Sequence, residues 1–440
     1  MSQFKSLTTL IYILLFLPFC LQGLADEVYL KNGNILKGII KKKTDEYLVL
    51  QLMIGETTLN LDQIKEVRKA SSEENQQLKD YWQNLIKSEE RKFKVEAKRK
   101  RFKGQLTQEI KTIFQKETGR VYTKGGHIYV DNKLFFVKGV VYEINYPGVA
   151  GGMAGYYRIP PEIFEKDFEM MAKAGINCIR TYEPLPLKLL DLAEKHGIMV
   201  IENIIHPSNW TNYNYKSDKE LKSLIAEAIR IVKRDKDRRC ILMWSIWSDT
   251  PFLQESQGSN MVKRYGLETV REFLKEIYLA VKAEDKQHPI TGSNILDQKD
   301  TEVGFDFLDV IGVNAYLGED GQWLGIEKAR ETIKQLVEIS KKHNKPVVIL
   351  ETGCSTYYMS EEVQYEILKK QIEITNQHIA GLVIFQWTDG WWRIGEPGVH
   401  NDCMEEHWGI LTGYREPKTG YKAVSEMFNK IDINSTGYTF

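Results

Sequence analysis

From Gly119 onward, strand-like and helix-like segments alternate, and this alternation constrains the fold more than any other feature of the sequence. Apolar runs of strand length fall at 136–142, 176–182, 198–203, 240–246, 288–292, 308–314, 346–351 and 381–387. Segments of 3.6-residue periodicity fall between and after them, at 161–174, 185–196, 218–234, 263–284, 325–343, 360–377 and 418–429. Strand–helix alternation calls for a parallel sheet covered by helices, and eight such strands call for a (β/α)₈ barrel. A doubly wound open sheet would need fewer strands and usually a phosphate-binding glycine loop. Neither GxGxxG after a strand nor GxxxxGK[ST] occurs.

The preceding segments have a different character. Residues 27–70 alternate apolar and polar positions through "EVYLKNGNILKGIIKKKTDEYLVLQL", with a hairpin signal at Asn32-Gly33. They predict a small, curled, five-stranded all-β domain of barrel-like form. Residues 71–118 predict a long, charged helical linker, with Leu78, Trp82 and Leu85 on one face and Phe102, Leu106, Ile110 and Phe114 on another. Its basic run Lys98–Lys103 suits a solvated face better than an anionic surface. Residues 1–25 have the layout of an export signal: Lys5, the apolar stretch Leu10–Leu21, then Gly23-Leu24-Ala25 before Asp26. The apolar stretch is short for a membrane span. The expected location is therefore outside the cytoplasm, either secreted or in the periplasm or cell envelope. Retention of the segment as an anchor, and envelope association through the N-terminal region, is the alternative.

Lys plus Arg and Asp plus Glu are each 60. With no net charge, nothing in the composition draws the chain to nucleic acid. Cys178 and Cys240 lie in apolar strands. Cys354 and Cys403 fall in loops, and no CxxC or metal-ligand spacing occurs. No metal or organic cofactor is implied.

In a (β/α)₈ barrel, the chemistry gathers where the strands end. The polar and aromatic residues at those ends are Glu143 and Asn145; Arg180 and Tyr182; Glu202, Asn203 and His206; Trp247, Ser248 and Asp249; Asn314 and Tyr316; Glu351; and Trp387, Asp389, Trp391 and Trp392. Flat aromatic rings stack on sugars. Paired carboxylates cleave glycosidic bonds, one protonating the leaving oxygen while the other attacks or activates water. Of the histidines, His206, His400 and His407 fall near this rim, where each suits a hydrogen-bonding role better than a metal-binding one. No GxSxG elbow supports serine nucleophile chemistry.

From about 136 to 430, the chain resembles the catalytic barrel of the large retaining clan of glycoside hydrolases, most closely that of family two. The segments that carry the resemblance are "FFVKGVVYE", "FEKDFEMMAKAGINCIRTYEPLPLKLLDLAEKHGIMVIEN", "CILMWSIWSD", "FDFLDVIGVNAY", "KPVVILETG", "GLVIFQWTDGWW" and "EEHWGILTGYREPKTGYKAV", in the family's order. The resemblance implies Glu351 as nucleophile, Arg180 as its paired arginine and Tyr316 in contact with the nucleophile or the sugar. It also implies Asn314 as a supporting group and Trp387 as the floor of the sugar subsite. Tyr182, Glu202, Trp247, Ser248, Asp389 and Trp391 complete the expected carbohydrate-binding set.

The fourth strand departs from that pattern. The family ends it in Gly-Asn-Glu, whose glutamate is the acid/base, and this chain has Trp247-Ser248-Asp249. The loss of a methylene withdraws the carboxyl by ~1.5 Å, and Glu202 or Glu255 could stand in as the acid. Three readings follow. The first is an exported glycosidase or transglycosidase cleaving β-linked oligo- or polysaccharide with Glu351 and Asp249. The second is a carbohydrate-binding pseudo-glycosidase. The third is an envelope structural protein whose N-terminal region carries the function.

Overall fold

The structure is a computed structural model that describes residues 25–31, 35–51, 56–80, 83, 120–149, 151–205, 214, 216–249, 261–296, 302–317, 326–376, 378–391 and 402–431. The export signal, most of the helical linker, His206, Glu255, Trp392 and His400 lie outside these residues. The chain separates into two units, Met1–Thr107 and Gln108–Phe440.

The first unit contains β1 (Asp26–Leu30), β2 (Ile35–Lys43), β3 (Tyr47–Gln51), β4 (Glu56–Asn60) and β5 (Ile64–Arg68). They form one antiparallel sheet in the order β4-β3-β2-β1-β5. β4 and β5 are its edge strands and do not pair with each other. Val28, Leu48 and Leu50 form its buried centre. The Asp26 carboxylate accepts hydrogen bonds from Ile40 N at 2.7 Å and Ala70 N at 2.8 Å, fastening the segment after β5 to the sheet. A helix follows at residues 72–80.

The second unit opens with β6 (Val121–Lys124), β7 (His127–Val130) and β8 (Lys133–Phe135), an antiparallel three-stranded sheet. The barrel strands follow: β9 (Val137–Val141), β10 (Cys178–Arg180), β11 (Met199–Asn203), β12 (Ile241–Ser245), β13 (Ile290–Thr291), β14 (Ser293–Ile295), β15 (Ile311–Asn314), β16 (Val347–Thr352) and β17 (Gly381–Ile384). Their order is β13-β12-β11-β10-β9-β17-β16-β15-β14, with neighbours parallel. β13 and β14 are halves of one fifth strand, interrupted at Gly292. β13 pairs with β12 and β14 with β15, so the ring closes through this strand. This is the expected (β/α)₈ barrel, and each strand falls within or next to its predicted segment.

The helices form for local reasons. Leu187–His196 follows Pro186 and stops at Gly197, whose φ of 67° suits a glycine C-cap. Asp218–Asp235 is capped by Ser217, whose side chain accepts from Glu220 N. The barrel interior is packed by Val141, Ile201, Met243, Val348 and Leu350. Val121 and Ile128 of the three-stranded sheet are fully buried in that same cluster, together with Val310 and Ala380, which precede their barrel strands, so this sheet seals the amino end. Thr419–Lys430 closes the structure. Ahead of it, fully buried Arg415 pairs with Asp167 at 3.1 Å, and Asp167 also accepts from the Tyr142 hydroxyl at 3.0 Å. No helix among the described residues is long and apolar enough to cross a membrane.

Candidate active site

Arg180 is the centre of the site. It ends β10, is fully buried and distributes its guanidinium N–H groups over the ends of four other strands. Nη1 donates to Glu351 Oε1 at 2.8 Å, to the Leu350 carbonyl at 2.9 Å and to Asn314 Oδ1 at 3.4 Å. Nη2 donates to Ser248 Oγ at 3.1 Å and Ser293 Oγ at 3.0 Å. The Tyr182 ring lies 5.0 Å from the guanidinium carbon, close enough for a cation–π contact. Burial alone would depress the arginine's pKa. The neighbouring Tyr182, Glu351 and Asp249 outweigh it and hold the cation.

Glu351 sits near the end of β16. The register of β16 shifts against both neighbours, between Val313 and Asn314 on one side and between Ile349 and Thr352 on the other. Such irregularities re-aim side chains. Leu350 packs in the barrel interior, while Glu351 reaches the Arg180 cluster. Its Oε1 accepts from Arg180 and from the Tyr182 hydroxyl, and its Oε2 accepts from the Tyr316 hydroxyl at 3.3 Å. Burial and the charge of Glu351 push both phenols well above their ordinary pKa, so they stay protonated and serve as donors.

Asp249 is linked to the arginine through Ser293 and Asn314. Its Oδ1 accepts from Ser293 Oγ at 3.2 Å and its Oδ2 from Asn314 Nδ2 at 2.7 Å. Burial and then the charge of Glu351 raise its pKa to about 7, against the opposing effects of Arg180, Asn314 and Ser293. The two carboxyls therefore differ in environment. One is ion-paired with the arginine, while the other holds a proton near neutrality. This is the arrangement that separates an acid from a nucleophile.

Of the expected site residues, the structure brings together Arg180, Tyr182, Ser248, Asp249, Asn314, Tyr316 and Glu351. Four of the other five have different placements. Glu202 points into the helix layer, where Oε1 accepts from Leu185 N at 3.0 Å and lies 3.5 Å from Arg234 Nη2. Burial and Asp235 push its pKa up to about 8, and it takes no part in the Arg180 cluster. Trp247 is fully buried behind the strands, T-shaped against Phe307, with Nε1 donating to Asn294 Oδ1 at 2.8 Å. Trp387 packs outside the barrel against Tyr421 rather than forming a floor. Asp389 is a latch for the segment that follows it, accepting from Gly409 N at 2.8 Å and Lys418 Nζ at 3.0 Å. Trp391 is half-buried just after the eighth strand.

Lesser candidates serve the scaffold. Asn203 Nδ2 donates to the carbonyls of Tyr182 and Ile205, and Asn145 Oδ1 accepts from the Thr388 hydroxyl. His407 pairs with Asp402 at 2.8 Å. Cys354 and Cys403 are free thiols. Among the described residues, no group of three or more His, Cys, Asp or Glu side chains could hold a metal.

Three site residues escaped the sequence reasoning. Ser293 touches both Arg180 and Asp249, and its signal was the glycine before it, in the middle of an apolar strand. Phe385 and Trp408 join Tyr316, whose hydroxyl donates to Glu351, in a cluster of rings with centroids 5.2–6.5 Å apart. Trp408 comes from the loop after strand eight, and its place depends on a backbone path that periodicity does not predict.

A sequence model described as glycosyl hydrolases family 2, TIM barrel domain, matches residues 121–433. Beta-glucuronidases of Chlorocebus aethiops and Homo sapiens are 24% and 23% identical over 296 residues, which cover 62% of this chain and 41% of theirs. A family-2 beta-galacturonidase from Eisenbergiella tayi, solved with galacturonate, superposes with a TM-score of 0.58 at 21% identity, covering 71% of this chain and 54% of that one. Ruminococcus gnavus beta-glucuronidase superposes with a TM-score of 0.58 at 17% identity, covering 92% of this chain and 63% of that one. These likenesses show the fold. The chain spans less than half the length of the two glucuronidases it matches in sequence.

Proposed function

The chain belongs to glycosyl hydrolase family 2 through the barrel that fills residues 121–433, and on that premise we propose that it cleaves β-linked glycosides with Glu351 and Asp249. The observation that carries the proposal is the shared guanidinium. Arg180 ion-pairs Glu351 at 2.8 Å and reaches Asp249 through Asn314 and Ser293.

The chemistry follows from these contacts. Glu351 Oε1 is taken by two donors, so Oε2, with only the longer Tyr316 contact, attacks the anomeric carbon. The C–O bond to the leaving group breaks as protonated Asp249 gives its proton to that oxygen. Asp249, now ionised, takes a proton from water, and the hydroxide oxygen displaces Glu351 from the sugar. The donors on Glu351 hold its charge before attack and receive it again at the end.

Glu351→Gln should lower turnover by at least on the order of a thousandfold while leaving glycan binding intact. Unchanged turnover of the best substrate would remove Glu351 from the mechanism. The named activities of the relatives put β-glucuronides and β-galacturonides first in the substrate panel, with neutral β-linked oligosaccharides second. One observation favours a binding protein instead, namely that both Asp249 oxygens already accept hydrogen bonds. Glycan binding by the natural protein with no turnover of any of these substrates would establish that alternative. Export is proposed from Lys5, the apolar stretch Leu10–Leu21 and Ala25. Sequencing of the mature N-terminus should begin at Asp26, and a retained Met1 would show an anchor.

A further inference from the structure

We propose that Ser293 is the positioning residue that keeps the shortened acid Asp249 in the catalytic machinery, and that Trp247 and Gly292 are the packing pair that put Ser293 there. The proposal rests on the reading of Asp249 as the acid.

The packing comes first. A Cβ added at Gly292 would lie 2.3 Å from the Trp247 indole, and one at Gly304 would lie 2.8 Å from it. The indole therefore fills space that two glycines leave open. Its Nε1 is fixed to Asn294 Oδ1 at 2.8 Å, and Asn294 Nδ2 is in turn fixed to the Val303 carbonyl at 2.8 Å. The Trp247 carbonyl accepts from Ser293 N at 3.1 Å. The end of the fourth strand is thus clamped to the fifth strand on both sides of Gly292, the point where β13 gives way to β14.

This clamp sets the direction of the Ser293 hydroxyl. Arg180 Nη2 can only donate, so Ser293 Oγ accepts from it, and the single hydroxyl hydrogen goes to Asp249 Oδ1. Asn314 does the same from β15, accepting from Arg180 Nη1 through Oδ1 and donating to Asp249 Oδ2 through Nδ2. The carboxyl hangs between two side chains, each polarised by one nitrogen of the same cation. Among the described residues, the charged and titratable groups facing it are Arg180 from β10, Glu351 from β16 and Tyr316 after β15. A glutamate would reach farther by its own length. Here the two tethers and the clamped backbone take over the placement.

The test uses the full chain. Ser293→Ala should lower kcat about tenfold, the rate equivalent of one hydrogen bond to a charged group, with little change in KM. It should also move the alkaline limb of kcat/KM upward by roughly half to one pH unit, because the lost donor favours the ionised form of Asp249. Ser293→Thr, which keeps the hydroxyl, should hold the limb at its natural position. A rate loss with an unmoved limb, or a threonine variant whose limb moves as far as alanine's, overturns the proposal. Carbon-13 titration of the aspartate carboxyls, with Asp249→Asn identifying the resonance, reads the tether without turnover. An Asp249 titration that moves up in Ser293→Ala supports the tether even if no glycoside is cleaved, in which case only the catalytic reading fails. An unmoved titration overturns the tether whatever the activity.

Discussion

At the scale of single residues, the proposed acid Asp249 carries the expected pH dependence. With its pKa raised to about 7, it is protonated in acid and loses its proton as pH rises through neutrality. kcat/KM should therefore fall above about pH 7, and Asp249→Asn should lose roughly 10²–10⁴ in rate on substrates with poor leaving groups. Stability should follow the same group. Between the ordinary aspartate value and about 7, the folded chain holds a proton that the unfolded chain has released. Stability therefore declines across that window, and the loss is complete above it. Asp249→Asn should accordingly melt higher than the natural protein at pH 8 and show less of that advantage at pH 4.5. Glu202 obeys the same sign at a higher pH. It is pushed up to about 8 by burial and by the neighbouring carboxyl of Asp235. Glu202→Gln should leave kcat and KM unchanged and raise the melting temperature above pH 8. A large loss of kcat would return Glu202 to the site.

At the scale of elements, the interrupted fifth strand is the most sensitive point. Gly292→Ala would force a methyl into the Trp247 indole at 2.3 Å, an overpacking that costs ~1–3 kcal/mol or more. Trp247→Leu in the same chain should recover part of that loss, and thermal unfolding of the two single variants and the double variant measures the coupling. Additive losses would show that the indole and Gly292 do not share one space. Elements also explain what was legible beforehand. Strand and helix positions follow from periodicity, and a barrel follows from their number. Arg180 was legible as the polar end of a predicted strand and through the resemblance, and it reaches the site because it shares the interior face of β10 with Cys178. The same two-residue alternation shows why Glu202 was misplaced. Ile201 faces the interior, so its neighbour faces the helices. Treating every polar residue at a strand end as a site residue ignores that parity. Glu351 is the opposite case. It follows interior Leu350 and still reaches the site, because the register shifts around β16, and no reading of alternation predicts a shift. Trp247 and Trp387 look like sugar platforms in sequence because an indole suits a core and a carbohydrate site equally well.

At the scale of the whole molecule, the family-2 barrel and the small antiparallel sheet belong to different units. A chain beginning at Gln108 should keep the kcat of the full protein on a small aryl glycoside, and loss of turnover in a folded truncated chain would assign the N-terminal region a part in the function. The sheet β6–β8 seals the amino end with Val121 and Ile128. With its interior packed and its amino end covered, the barrel leaves its carboxyl end as the face from which a ligand can reach Arg180 and Glu351. On the proposed glycosidase reading, the freed sugar is held by the same side chains that hold the next substrate, so added product sugar should act as a competitive inhibitor in steady-state assays, and a purely non-competitive pattern would place product binding elsewhere.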